Sequence, residues 1–357
     1  MTGLFTNTIA ESNSGSGITF SNDIVPATPL SHRNMVINGA HQISQRGISF
    51  TSVTSSAYHL DRFQTILASV GTYTITQETA SPPDGFTSSY KIACTTANSS
   101  NDAADAGVLY YTFEGQDVWH LKYNSSGAVT TTLSFWVKAK ETGNYQVNLV
   151  GNNRHIGSTY TINVADTWEY KTITFAGDTS GNWMSSNNTE GGRFEWWFEG
   201  GSNYVGGAVP TSWEAVSQTD RNAGQTAEKL GNDTANYWQI AGIQWEKGSV
   251  ATPFEHRSYG DELARCQRYF QKSAFSLRWT STGSNEYNFF THHFVTQMRG
   301  SVNSVFSGGS FTNVISSTEN NFTEILTGTA CQIGYRANAS GANTQVSSRN
   351  ATFESEF

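Results

Sequence analysis

Hydrophobic and polar residues alternate with a period of two through many short stretches of this chain. Leu133, Phe135 and Val137 alternate with Ser134, Trp136 and Lys138. Tyr145, Val147 and Leu149 alternate with Gln146 and Asn148, and Tyr160, Ile162 and Val164 with Thr161 and Asn163. Phe194, Trp196 and Phe198 alternate with Arg193, Glu195, Trp197 and Glu199. Successive side chains of a strand point to opposite faces, so the pattern predicts antiparallel strands with one buried face. Polar turns such as Glu141-Thr-Gly-Asn144 separate them. The run from 35 to 257 therefore predicts a jelly-roll β-sandwich or a close variant.

One segment changes period. In Ser258–Lys272 the apolar positions are Leu263, Cys266, Tyr269 and Phe270, which is helical spacing. Ser258 followed by Asp261 is a capping-box signature. Acids Asp261 and Glu262 open the segment and Arg265, Arg268 and Lys272 follow, in the sense the helix dipole favours. The expectation is a linking helix over 258–272. Its stripe of Leu263, Cys266 and Phe270 should pack on the sandwich edge. Arg265, Arg268 and Lys272 should face solvent or a neighbouring chain. Strand-like pattern resumes over 273–357, notably Phe289–Val295 and Thr329–Ala337, and predicts a smaller C-terminal β domain. The last residues, Ala351–Phe357, are expected to close its sheet. At the other end, residues 1–34 form a Ser/Asn/Gly-rich leader. Its one strand-like piece, with Ile18, Phe20, Ile24 and Val25, is too short to fold alone and calls for a partner.

Composition narrows the class. Of 357 residues 37% are hydrophobic, 13% aromatic and only 14% charged. Disordered chains are charge-rich and aromatic-poor, so this mix suits short strands and polar turns instead. The net charge of −8 argues against nucleic acid as a partner. Cys94, Cys266 and Cys331 are far apart and odd in number, so buried free thiols are expected rather than a disulfide framework or metal cluster. The N-terminal stretch has no signal-peptide pattern, and no apolar run is long enough for a membrane span.

Several phrases, in order, resemble structural proteins of tailed phages, especially marine and cyanobacterial ones. They are Asn34-Met-Val-Ile-Asn-Gly39, Gln42-Ile-Ser-Gln-Arg-Gly47 and Tyr58-His-Leu-Asp-Arg-Phe63, then Leu133–Lys138, Ala165–Lys171 and Gly177–Trp183. Gln244–Ser258 with Cys266-Gln-Arg-Tyr-Phe270 is the most distinctive. Gln297-Met-Arg299 and the terminal Phe-Glu-Ser-Glu-Phe match more loosely. The resemblance implies a jelly roll like that of carbohydrate-binding modules, within a homotrimeric tail fibre or appendage. It also implies virion localisation after assembly in the host cytoplasm, and attachment through the leader to another tail or adaptor protein. Asp61-Arg62 is expected to be an ion pair or part of a network, since an Arg fork matches a carboxylate. Pro253 should end the last sandwich strand, with Phe254 plugging the core edge beneath the helix.

No enzymatic, cofactor or metal motif appears. Glu195 and Glu199 stand ~13 Å apart along one strand, too far for a glycosidase pair. His292 and His293 are adjacent and so point to opposite faces, which disfavours joint chelation within one chain. It leaves only one His from each of three copies at a trimer axis as a metal arrangement, against the simpler reading of two ordinary strand histidines. Non-covalent recognition of a host surface polysaccharide is the leading expectation: aromatic rings stack on a pyranose while amides and carboxylates fix its hydroxyls. The candidates are Trp197, on the polar side of its strand, and Trp183, Tyr204 and Trp213, in turn-rich sequence expected to be exposed. The rivals are a purely structural connector and a polysaccharide depolymerase.

Overall fold

The computed structural model describes residues 32–357 except 99, 101, 181–186, 283–286, 301, 308–309, 313–321, 327–328 and 337–342. The leader candidates Ile18, Phe20, Ile24 and Val25, and Trp183, lie outside the described residues.

The described residues are all-β with one substantial helix among them. Thirteen strands build the sandwich: β1 (Ser49–Val53), β2 (Ala57–Tyr58), β3 (Phe63–Ala68), β4 (Thr72–Glu78), β5 (Ser89–Thr96), β6 (Ala106–Glu114), β7 (Thr131–Ala139), β8 (Gly143–Val150), β9 (Arg154–Ile162), β10 (Glu169–Phe175), β11 (Glu190–Gly200), β12 (Glu214–Ala215) and β13 (Tyr237–Lys247). A six-stranded sheet has the order β1-β4-β5-β13-β7-β10, and a seven-stranded sheet the order β12-β9-β8-β11-β6-β3-β2. The chain passes repeatedly from one sheet to the other, as a jelly roll requires. The alternating residues meet between the sheets: Leu133, Phe135 and Val137 face Phe194, Trp196 and Phe198, all fully buried in one core.

The helix covers Tyr259–Gln267, with Ser258 as N-cap accepting from the Asp261 N–H. It ends earlier than its pattern suggests, because Phe270 pairs with Glu354 and starts a strand, β14 (Phe270–Thr280). Cys266 is buried and Leu263 half-buried, against Ile37, Ile43 and Phe357. Beyond lie β15 (Tyr287–His293), β16 (Asn303–Ser307), β17 (Ser310–Thr312), β18 (Phe322–Leu326), β19 (Ala330–Arg336) and β20 (Asn343–Glu354). The terminal strand is central rather than closing: β20 pairs with β14, β16 and β17, while β15-β19-β18 form a second sheet.

Several of the phrases singled out in the sequence build internal joints. Asn38 Nδ2 donates to the carbonyls of Ile43 (2.8 Å) and Asp61 (2.9 Å). A Cβ at Gly39 would meet the Ile243 carbonyl at 2.1 Å, so only glycine lets this segment lie against β13. Asp61 and Arg62 are both fully buried, but they serve different partners rather than each other. Asp61 accepts from the Gln45 backbone (2.6 Å) and side chain (2.7 Å). Arg62 pairs with Glu356 and lies 3.4 Å above the Tyr269 ring. Arg46 reaches Glu354 at 2.7 Å, and Arg299 donates to the carbonyls of Ser355 (2.7 Å) and Glu356 (2.8 Å). Arg268, expected in solvent or against a neighbouring chain, holds Glu114 of β6 through two bonds of 2.7 and 2.8 Å. The C-terminal tail is thereby clamped to the sandwich by arginines. Lys272 lies in β14, its ammonium 3.2 Å from the Arg46 carbonyl.

Candidate functional site

The outer side of the seven-stranded sheet carries the polar alternates of β8 and β11, and the chain covers it with its own residues 201–226. Gln146 and Asn148, both fully buried, donate from their amides to the carbonyls of Asp220 and Arg221, each at 2.7 Å. The Gly224 N–H donates to Gln146 Oε1 (2.8 Å) and the Gly157 N–H to the Pro210 carbonyl (2.7 Å). Glu195 sits at the centre. It accepts from Arg193 Nε (2.8 Å), Arg221 Nε (3.0 Å) and Trp197 Nε1 (3.2 Å). Burial pushes its carboxyl up, but Arg221 and Arg193 outweigh burial and hold it below the usual value.

Trp197 therefore is not the exposed platform its polar-side position suggests. It is 1% exposed, with the Tyr204 ring tilted against it at 4.9 Å and the Arg221 guanidinium 5.3 Å over its ring. Tyr204 is half-buried by the same contact. Trp213 lies elsewhere: its indole donates to the Ala176 carbonyl (2.6 Å) and its ring leans on the main core. The three described candidates form no common surface. Glu199 is also buried, accepting from the Tyr73 hydroxyl (2.6 Å) and the Gly231 N–H (3.1 Å). Burial raises its pKa and these bonds only partly offset it. Both strand carboxylates are thus committed inside the fold.

The outer side of the six-stranded sheet is open. There a groove of about 540 Å³ is lined by Trp136, Tyr170, Phe86 and Phe254, with Asp84, Ser134, Thr252 and His256 among the polar groups. Trp136 on β7 and Tyr170 on β10 are register partners, with ring centroids 5.3 Å apart. Trp136 is half-buried and Tyr170 is 44% exposed. The wall opposite is a triad of rings: Phe86 lies 4.9 Å from Phe254 and 5.4 Å from His256. Phe86 lies on Gly242, whose φ is +60° and where a Cβ would stand 2.5 Å from the ring. Phe254 thus packs over this sheet rather than beneath the helix, and the last sandwich strand ends at Lys247, before Pro253. Buried Glu246 fastens the segment carrying Phe254, accepting from the Thr252 N–H (2.8 Å) and hydroxyl (2.6 Å). Buried Gln244 accepts from the Glu255 N–H at 2.8 Å. The distinctive phrase Gln244–Ser258 is what makes this wall.

This groove went unnoticed in the sequence although its signal was present. Trp136 stands at an outward position of the β7 alternation, and Tyr170 is the matching residue of β10. A second cleft of about 650 Å³, between the helix and both β regions, is lined by Arg257, Arg265, Arg268, Glu255 and Asp261. It has no Trp, Tyr or Phe among its lining residues, and Arg257 and Arg268 are already paired with Glu262 and Glu114. His292 stacks on Phe353 at 5.0 Å and is a packing residue.

No protein-family model matches the chain, and no curated protein matches it. Among solved structures, the enzymatically active domain of bacteriophage CBA120 tailspike protein 4 is similar over 60% of this chain, at 13% identity and a TM-score of 0.30. The match spans about a fifth of that chain, 21%. A putative sugar binding protein from Bacteroides thetaiotaomicron is similar over 60% of this chain and 100% of its own, at 13% identity and a TM-score of 0.30. A family 11 carbohydrate-binding module of a Clostridium thermocellum cellulosomal cellulase is similar over 59% and 95%, at 8% identity and a TM-score of 0.26.

Proposed function

We propose that the chain binds a glycan non-covalently in the Trp136–Tyr170 groove, as a subunit of a phage tail fibre or related appendage. The observation that carries this reading is the pair of accessible rings side by side on a polar sheet. Ring faces of this kind stack on the apolar side of a pyranose, and neighbouring carboxylate, hydroxyl and imidazole groups meet its hydroxyls. Asp84, Thr252 and His256 stand at the groove in that role. The phage setting, the homotrimer, the leader as attachment segment and the host polysaccharide as ligand rest on the resemblance of the sequence phrases. The reading assigns no catalysis, because Glu195 and Glu199 are both caged by structural bonds.

A connector role without a receptor is the second reading, and one observation favours it: most of the family-like phrases build joints. Both readings meet one experiment. The intact protein is screened against host surface polysaccharides, with Trp136→Ala and Tyr170→Ala compared with the parent and reducing ends assayed in parallel. The proposal expects binding that each substitution weakens about tenfold, a loss of ~1.4 kcal/mol, with no new reducing ends. Binding that survives both substitutions would overturn the groove assignment, and released reducing ends would overturn the non-catalytic reading.

A further inference from the structure

A buried histidine near the edge of the seven-stranded sheet faces carboxylates without a completed hydrogen bond. His155 on β9 is fully buried, and neither ring nitrogen completes a hydrogen bond among the described residues. Directly across the strand pair is Glu214 of the two-residue β12. His155 Nε2 stands 3.4 Å from Glu214 Oε1. Asp220, at the end of the turn Gln218–Asp220, brings in a third group, and one ligand atom from each residue lies within 4.8 Å of the others. Asp220 Oδ1 accepts from the Ala208 N–H (3.0 Å) and the Thr219 hydroxyl (3.3 Å), which orient the carboxylate.

We propose that His155, Glu214 and Asp220 form a binding site for a divalent transition-metal ion of the zinc type. Two ligands on one tetrahedral zinc stand ~3.3 Å apart, given bonds of about 2.0–2.1 Å. The His155–Glu214 separation already has that value, and Asp220 closes the site with a small shift of its carboxylate. An imidazole beside two carboxylates selects zinc-like ions over calcium or magnesium, which prefer all-oxygen shells. The side chain of Glu214 is 44% exposed, so the site opens to solvent on that side and leaves room for water as a further ligand. The ion ties β9 to β12 and to the turn at Asp220. That turn belongs to the segment 201–226 that seals Trp197 and Glu195, so the metal fastens the seal. This inference is independent of the groove on the opposite sheet.

The test uses the full chain after chelator treatment, titrated calorimetrically with zinc, then with calcium and magnesium. The expected result is one zinc bound per chain, weakened at least about tenfold by Glu214→Gln and by Asp220→Asn. Those substitutions are conservative and leave the buried histidine in place, so folding is preserved. His293→Ala, at an exposed histidine on the C-terminal sheet, leaves affinity unchanged. Zinc also slows proteolysis between residues 202 and 226 in the parent but not in Glu214→Gln. No stoichiometric zinc binding, unchanged affinity in both carboxylate variants, or tighter binding of calcium than of zinc each overturns the proposal.

Discussion

The two outer faces of the sandwich follow the same alternation and end in opposite states. On β11 the outward tryptophan, Trp197, is sealed under Tyr204 and Arg221; on β7 the outward tryptophan, Trp136, borders an open groove. The difference lies in what the chain lays across each sheet. Segment 201–226 brings Arg221 to Glu195 and satisfies the amides of Gln146 and Asn148. On the other face the segment 251–256 lies only along one side, held by Gln244 and Glu246. A polar strand face thus marks a surface that can be wetted, not one that is.

The largest effects should come from the sealed face. Glu195→Ala leaves Arg193 and Arg221 facing each other without the carboxylate, and should cost about 3–5 kcal/mol in chemical denaturation. Trp197→Ala should cost a similar ~3–5 kcal/mol through the cavity it leaves. On the open face Trp136→Ala removes one cross-strand ring pair and should cost only ~0.2–1 kcal/mol while weakening glycan binding about tenfold. Equal destabilisation by Trp136→Ala and Trp197→Ala would erase the distinction between the faces.

The junction sharpens the same lesson. The sequence places Arg268 in solvent or against a neighbouring chain and Leu263 in the buried stripe; the structure has Arg268 holding the fully buried Glu114 and Leu263 only half-buried. Arg268→Ala and Leu263→Ala should therefore each cost about 1–3 kcal/mol by thermal melting. An inert Arg268→Ala would return that arginine to the solvent.

The smallest effect is one of pH. The Glu195 carboxyl is held below its ordinary value of 4.5 by Arg221 and Arg193, against burial. The unfolded state therefore takes up that proton first as pH falls. The stabilisation is fully present above about pH 4.5 and is lost as pH falls toward the depressed folded value. Proteolysis of residues 201–226 should quicken below about pH 4.5 before the whole protein unfolds, whereas Glu195→Gln, which carries no charge to lose, should show no such onset.

Much of the fold was legible because it is local. The alternations of β7, β8 and β11 and the Ser258 cap are short-range patterns that appear where their residues place them, whereas β9 ends at Ile162 and leaves Val164, expected in its alternation, outside the strand and exposed. The helix end was not legible, since it depends on Phe270 pairing with Glu354, 84 positions later. Nor was the partner of Arg62, which is Glu356 rather than the neighbouring Asp61. The site divided in the same way. Trp136 was readable as an outward ring from β7 alone, while the sealing of Trp197 required knowing that Arg221 folds back onto Glu195.

A structure of the chain with a bound host oligosaccharide tests the central claim most directly. The account predicts a pyranose ring against Trp136 and Tyr170, with its hydroxyls turned toward Asp84, Thr252 or His256, and no sugar on the face covered by residues 201–226. A sugar bound instead beside Trp197 after displacement of that segment, or in the arginine-lined cleft at the helix, would contradict it.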